Sequence, residues 1–251
     1  MLLSNLVAEI DSLKEKLQLR RHLQSDKVTK AFELEYTYES NRIEGNSLTL
    51  QETALVVEKG LTIGGKSLQE HLEAINHTHA LEYIKELVQD KTAFTETILL
   101  NIHKLILQSI DNANAGTYRK IQVMISGAKF VPPQPYLVLK QMEDFFIWYN
   151  ENTQSLHPVL LSAELHERLV TIHPFIDGNG RASRLLMNLI LLQHSYAIAI
   201  LKGDAQNRLQ YYAALEQAQI NNNRQPFLEL IAVTVKNTLE RILDVISEQN
   251  N

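Results

Sequence analysis

Apolar residues three and four positions apart recur along almost the whole chain, and this helical period is broken in only one place. Leu6, Ile10, Leu13 and Leu17 open the series and predict an amphipathic helix. A second helix is expected over 28–43, stopping at Gly45, because glycine accepts the left-handed conformation that closes a helix. Thr49 with Glu52 and Ser67 with Glu70 form capping-box patterns, whose side chains satisfy amides otherwise orphaned at a helix start. They predict helices over about 50–59 and 68–89. Helical periodicity continues over about 96–110, 139–151, 158–172, 181–194, 206–220 and 225–247. The expected fold class is all-α, a helical bundle.

The exception is residues 119–138, RKIQVMISGAKFVPPQPYLV. Polarity alternates around Val123 and Ile125, Ser126-Gly127 offers a turn, and the prolines at the end forbid helix, so a small β-hairpin flap is expected. No internal repeat, low-complexity stretch or long linker separates the segments, so the helices should form one body.

Composition narrows the function classes. With 251 residues and 45% apolar side chains the chain can bury a real core. A net charge of −5 without a basic block gives no footprint for nucleic acid. The absence of cysteine removes disulfides, thiolate metal sites and a cysteine nucleophile, and suits a reducing compartment; a cytoplasmic location is expected. Glu9 and Asp11 interrupt the opening stretch where a secretory signal would need an apolar run, and no later run nears the roughly 20 apolar residues of a membrane span, so no membrane partner is expected. The apolar run 185–192 reads instead as a buried central helix.

The chemistry concentrates in HPFIDGNGRASR, residues 173–184. Gly178 and Gly180 let the backbone turn with its amides exposed, just where a helix begins. Free amides and the positive end of a helix dipole then converge on one point, an anion site for which phosphate is the natural ligand. Arg181 and Arg184 lie in the first turn, where planar guanidinium groups can grip phosphate oxygens. Asp177 offers a hard oxygen beside the loop, suited to magnesium that bridges substrate phosphates. His173, four residues before that acid, has a near-neutral pKa and can take the proton of an attacking hydroxyl. His166-Glu167 does not make a zinc-protease pair, because Val170 stands where the second histidine is needed. His77 and His79, two apart on a helix, point in different directions and are expected at the surface or the core edge.

The window agrees with the Fic signature H-x-F-x-D-G-N-G-R-x-x-R at every specified position, and the chain resembles that family. GTYR at 116–119, the paired Pro132 and Pro133, HPV at 157–159 and YYAAL at 211–215 are similar to family features in the expected order, covering about 35–240. The resemblance implies a Fic fold whose core occupies 96–251 and whose N-terminal helical region occupies 1–95. It implies protein adenylyltransfer: a serine, threonine or tyrosine hydroxyl of a target protein attacks the α-phosphate of ATP in the presence of magnesium. His173 would be the base and Asp177 the metal ligand. Gly178, Asn179 and Gly180 would hold the α- and β-phosphates, Arg184 the γ-phosphate, and Arg181 would support the loop. Phe175 would anchor the loop to the core. Tyr211, Tyr212, Leu215 and Gln219 would shape the nucleotide pocket, with Gln219 standing where close relatives often carry asparagine. The flap, through Val123, Ile125, Ser126 and Gly127, would pair with an extended stretch of the target.

SNRIEG at 40–45 resembles the family's inhibitory motif, with Ser40 and Glu44 as its typed positions. Glu44 near a helix end could pair with Arg184 and occupy the guanidinium that would hold the γ-phosphate. Members of this kind can use the same glutamate to orient water for removing AMP, so addition and removal both stay open, as does a homodimer. The alternatives within the resemblance are transfer of UMP, phosphocholine or a phosphate, and a binding or scaffold protein with little activity. A regulator with a winged helix is not expected, since the chain ends soon after residue 240.

Overall fold

The computed structural model describes residues 3–249. Ten α-helices follow one another there: α1 (Leu3–Arg20), α2 (Asp26–Ile43), α3 (Leu50–Lys59), α4 (Leu68–Gln89), α5 (Glu96–Leu107), α6 (Pro135–Asn152), α7 (Pro158–Ile172), α8 (Asn179–Gln193), α9 (Ala205–Asn221) and α10 (Gln225–Gln249). Among the described residues there is no β-strand.

The helix starts come from side chains that satisfy the first free amides. Ser25 Oγ accepts from the Val28 amide, and Thr49 and Ser67 form reciprocal capping boxes with Glu52 and Glu70. α7 begins at Pro158 after His157, whose Nδ1 accepts from the Val159 amide at 3.3 Å. α2 closes through Glu44, with Gly45 at φ +100° just beyond it.

α8 is the axis of the molecule. Leu185, Leu186, Met187, Leu189, Ile190 and Leu191 are all buried, so the apolar run is apolar on every side because it is covered on every side. α7 lies along it, α4 and α5 flank it, and α10 packs on α7 and α9. Each fully buried leucine or isoleucine contributes roughly 1.5–3 kcal/mol, so this helix is a fixed base for the loop at its N-terminus. α1 runs along α10, burying Leu6, Ile10 and Leu17. A separate small cluster of Leu48, Val56 and Ala74 holds α3 on α4.

α2 docks on α4 and on Lys202 and Gly203, at the end of the strip 196–203 between α8 and α9. The strip is tied to α8 by Asn188, whose side chain donates to the Ala199 carbonyl at 3.1 Å and accepts from the Ala199 amide at 2.8 Å. At its end the Gly203 amide donates to Glu39 Oε2 at 2.8 Å. A Cβ on Gly203 would lie 2.9 Å from the Ile43 nitrogen and 3.0 Å from the Glu39 carbonyl oxygen, so only glycine lets the two backbones approach this closely.

Three expectations need correction. The flap at 119–138 is not a hairpin: no ladder forms, a turn closed by Ala128 N–H to the Ile125 carbonyl at 3.2 Å sits at its tip, and the rest is irregular. Its prolines do not exclude helix throughout either. Pro135 opens α6 at the first helical position, where the missing N–H is not needed. His77 is fully buried rather than peripheral, with Nδ1 3.1 Å from the Thr37 hydroxyl and its ring edge-on to Tyr36. Among the described residues no helix is long and apolar enough to cross a membrane.

Candidate active site

The loop 173–180 joins the two central helices, and His173, Phe175, Asp177 and Asn179 in it are each held by hydrogen bonds. His173 caps α7 in the left-handed conformation, φ +51°, with its amide donating to Leu169 O at 2.9 Å. Its Nδ1 lies 3.3 Å from the Val170 carbonyl. A carbonyl only accepts, so Nδ1 carries the proton and Nε2 is left as the basic nitrogen. Burial holds the imidazole below its ordinary pKa; the Arg119 guanidinium acts in the same direction, and the Val170 bond, Glu44 and Asp177 act against it. The ring is therefore neutral and competent as a base near neutral pH.

Asn179 fixes the turn. Its Oδ1 accepts from the Phe175 amide at 2.9 Å and its Nδ2 donates to the Phe175 carbonyl at 3.0 Å, so the side chain faces inward. Only its backbone amide remains for an anion, which narrows the expected phosphate contact to the main chain. Phe175 is fully buried beneath, with the His103 ring stacked on it at 3.6 Å and 7°. Gly178 takes φ +77°, and a Cβ there would come within 3.3 Å of the His103 ring.

His103 was not anticipated. Its Nδ1 accepts from the Gly116 amide at 2.9 Å, and its Nε2 reaches the Asp177 carbonyl at the same distance, so it pins the loop from below. Burial pushes its pKa down to about 4, against the opposing pull of Asp177. The trace in the sequence is a lone histidine within the apolar run ILLNIHKLIL of α5.

Arg184 is 1% exposed and projects from the second turn of α8 toward α2. Its Nε donates to Ser40 Oγ at 3.0 Å, and its Nη2 donates to the Ser40 carbonyl at 2.9 Å and to Glu44 Oε1 at 2.6 Å. Burial works against its charge, but the Glu44 carboxylate, with Tyr211 and Tyr36 nearby, raises the guanidinium above its ordinary pKa. Nη1 makes no hydrogen bond. Glu44 lies over the start of α8 so closely that a Cβ on Gly180 would collide with Oε1.

Arg181, 3% exposed, donates from Nη2 to Asp177 Oδ2 at 3.1 Å; Nη1 has only the Glu73 carboxylate at 3.6 Å, and Nε makes no hydrogen bond. Buried guanidinium N–H groups without acceptors fit an anion at this helix end. The Asp177 side chain is 56% exposed, and among the described residues no group of three or more histidine, aspartate or glutamate side chains is placed to hold a metal alone. A single open carboxylate fits magnesium that takes its remaining ligands from water and substrate phosphates.

A cavity of 410 Å³ opens above the loop, of the size that takes a small-molecule ligand. His173, Gly180 and Glu44 line one side, Ile125, Ser126 and Gly127 of the flap another, and Tyr211, Tyr212, Leu215 and Gln219 of α9 the third. The Tyr211 hydroxyl lies 2.9 Å from His166 Nε2, while the Tyr212 hydroxyl donates to the Ile43 carbonyl at 3.2 Å, next to Glu44. Val123 is half-buried in the flap outside the lining.

Residues 93–191, which include this loop, α7 and α8 as far as Leu191, match the Fic/DOC family. The chain carries a Fic domain. It is 39% identical over 215 residues to the protein adenylyltransferase Fic of Drosophila grimshawi, a match covering 85% of this chain and 44% of the fly protein. The chain thus spans less than half the length of the curated relatives it matches. Fic-1 from C. elegans superposes with a TM-score of 0.87 at 29% identity, covering 98% of this chain and 73% of that one. A Fic domain containing signaling protein from Bacteroides thetaiotaomicron gives 0.86 at 29% identity, covering 96% and 98%. The all-α Fic fold extends over the described helices.

Proposed function

We propose that this chain is a protein adenylyltransferase, moving AMP from ATP to a hydroxyl of a target protein, and that Glu44 restrains it. The observation that carries this reading is the meeting, in the lining of one cavity, of a neutral His173, Gly180 at the start of α8 and Glu44, which lies between the cavity and the buried Arg184 it pairs with. The name borne by the curated relatives supports it.

In this reading the triphosphate lies over the amides of residues 178–180, with Arg184 and Arg181 facing its oxygens. The target hydroxyl attacks the α-phosphorus. The bond from that phosphorus to the bridging oxygen breaks, pyrophosphate leaves, and Nε2 of His173 takes the hydroxyl proton. Magnesium, held by Asp177 together with the phosphates, would neutralise charge on the departing pyrophosphate. Glu44 competes with the γ-phosphate for Arg184 by supplying a carboxylate at the same guanidinium. Residues 1–95 then serve as the region that presents the restraint, and 96–251 as the catalytic part.

The test is mass spectrometry of the wild type and Glu44→Gly after incubation with ATP and magnesium. The expected result is an AMP adduct on a hydroxyl side chain, of the protein itself or an added partner, in higher yield for the variant. Absence of any adduct in both overturns the activity; an equal yield overturns the restraint alone.

A further inference from the structure

Arg119 sits at the junction of flap and loop, and its side chain is used up by main-chain carbonyls. Its Nε donates to the His173 carbonyl at 2.7 Å, Nη1 to the Ile121 carbonyl at 3.1 Å and Nη2 to the Pro133 carbonyl at 2.6 Å. Its own amide donates to the Pro174 carbonyl at 2.9 Å. The residue is 2% exposed. One rigid fork thus holds both ends of the flap and the backbone of the proposed base, and only guanidinium has donors in that spread.

The flap has little else at its root. Without a strand ladder, its two arms are linked by Gln122, whose Nε2 donates to the Pro132 carbonyl at 2.9 Å, and its outer residues Ile121, Met124 and Val131 are well exposed. On the other side, His173 stands in a left-handed conformation that a side-chain-bearing residue keeps only when its surroundings impose it. The Arg119 bond to its carbonyl is one of those impositions.

We propose that Arg119 is a positioning residue that fixes the distance between the flap edge and the His173 imidazole, so that a hydroxyl carried by a segment lying on the flap meets Nε2. The proposal rests on the transfer reading of this cavity, but the tether is testable apart from it. It asks two things of one side chain, a fork and a charge, and two substitutions separate them. Lysine keeps the charge and loses the fork; methionine loses both. The charged groups facing His173 are Arg119 from the flap root, Glu44 from the end of α2 and Asp177 from the loop itself.

Arg119→Lys and Arg119→Met would be made in the Glu44→Gly background and compared with that parent. Limited proteolysis within 121–131 is expected to speed up at least ~10-fold in both variants, because the arms are no longer joined. The pKa of His173, followed by NMR of the imidazole, should rise in Arg119→Met and stay near the parent in Arg119→Lys. AMP incorporation should fall ~10- to 100-fold in both, with ATP affinity within about twofold of the parent, as for a misplaced acceptor. Should methionine prevent folding, the lysine variant decides the matter alone. Flap cleavage at the parent rate in Arg119→Lys, or a loss of incorporation matched by an equal loss of ATP binding, overturns the proposal. If the parent itself forms no AMP adduct, the transfer reading fails, while proteolysis and titration still report on the tether.

Discussion

The loop 173–180 and the flap 120–134 face each other across one cavity, yet they are built by opposite means. In the loop, Asn179 binds both backbone groups of Phe175, His103 holds the Asp177 carbonyl and the Gly116 amide, and an aromatic stack lies beneath. The flap has a terminal turn, one glutamine rung, the Arg119 fork and an exposed ion pair from Lys129 to Glu216 at 2.9 Å. Under the proposed transfer, the contrast separates two demands. A phosphate site must exist before its ligand arrives, since reorganising dipoles during reaction is costly. A surface that pairs with a partner through main-chain groups gains its order from that partner.

Four experiments sharpen or break this division. His173→Ala removes the proposed base from the rigid side, and transfer should fall ~10²- to 10⁴-fold while ATP affinity changes less than about twofold, measured by adduct formation and calorimetry. A parallel loss of nucleotide binding would place His173 among the groups that hold ATP instead. Asn179→Ala should be the next largest, since it leaves the amide and carbonyl of buried Phe175 unpaired. About 2–4 kcal/mol of stability is expected to go, a drop of roughly 5–10 °C in Tm, together with weakened ATP binding. A variant as stable as the wild type would show that the loop is not locked by this side chain.

Acid should unlock the same loop. His103 is neutral in the folded protein with its pKa pushed down to about 4, below the ordinary value of about 6.5. Its stabilising effect is complete above pH ~6.5 and is lost as pH falls toward 4, because the unfolded chain takes up the proton first. The depression corresponds to on the order of 3 kcal/mol once both states are protonated. His103→Gln keeps one acceptor for Gly116 and one donor for Asp177 but cannot charge. Its Tm deficit relative to wild type, measured by calorimetry, should therefore shrink between pH 7 and pH 4; a constant deficit would assign the acid sensitivity to other buried histidines such as His77. The smallest effect belongs to the flap. Lys129→Ala should leave Tm unchanged and alter flap proteolysis less than about twofold, as an exposed ion pair contributes little.

Much of this arrangement was readable from sequence because it is written in local signals. The capping boxes at Thr49 and Ser67 are satisfied within four residues, so they mark helix starts without knowledge of the rest. The spacing in 173–184 likewise names a turn, an acid and two arginines on one helix end. What escaped depends on partners far away in the chain. Alternation in 119–138 says that residues are extended but not that a strand will find another to pair with, and here no ladder forms. His103 is 74 residues from the carbonyl it serves, and the burial of His77 follows from how α2 and α4 meet. The inward turn of Asn179 was hidden for another reason: asparagine can cap a backbone or face a ligand, and composition does not choose.

The close approach at Gly203 has a consequence for inheritance. The end of α2, and with it the carboxylate over α8, is seated by main chain against main chain, where hardly any amino-acid variety can act as a shim. Under the proposed restraint, its strength can be tuned over generations at its tip, through Glu44, or through the residues that grasp it, but scarcely at its mounting. A methyl added at position 203 would push the whole end of α2 away at once rather than by degrees.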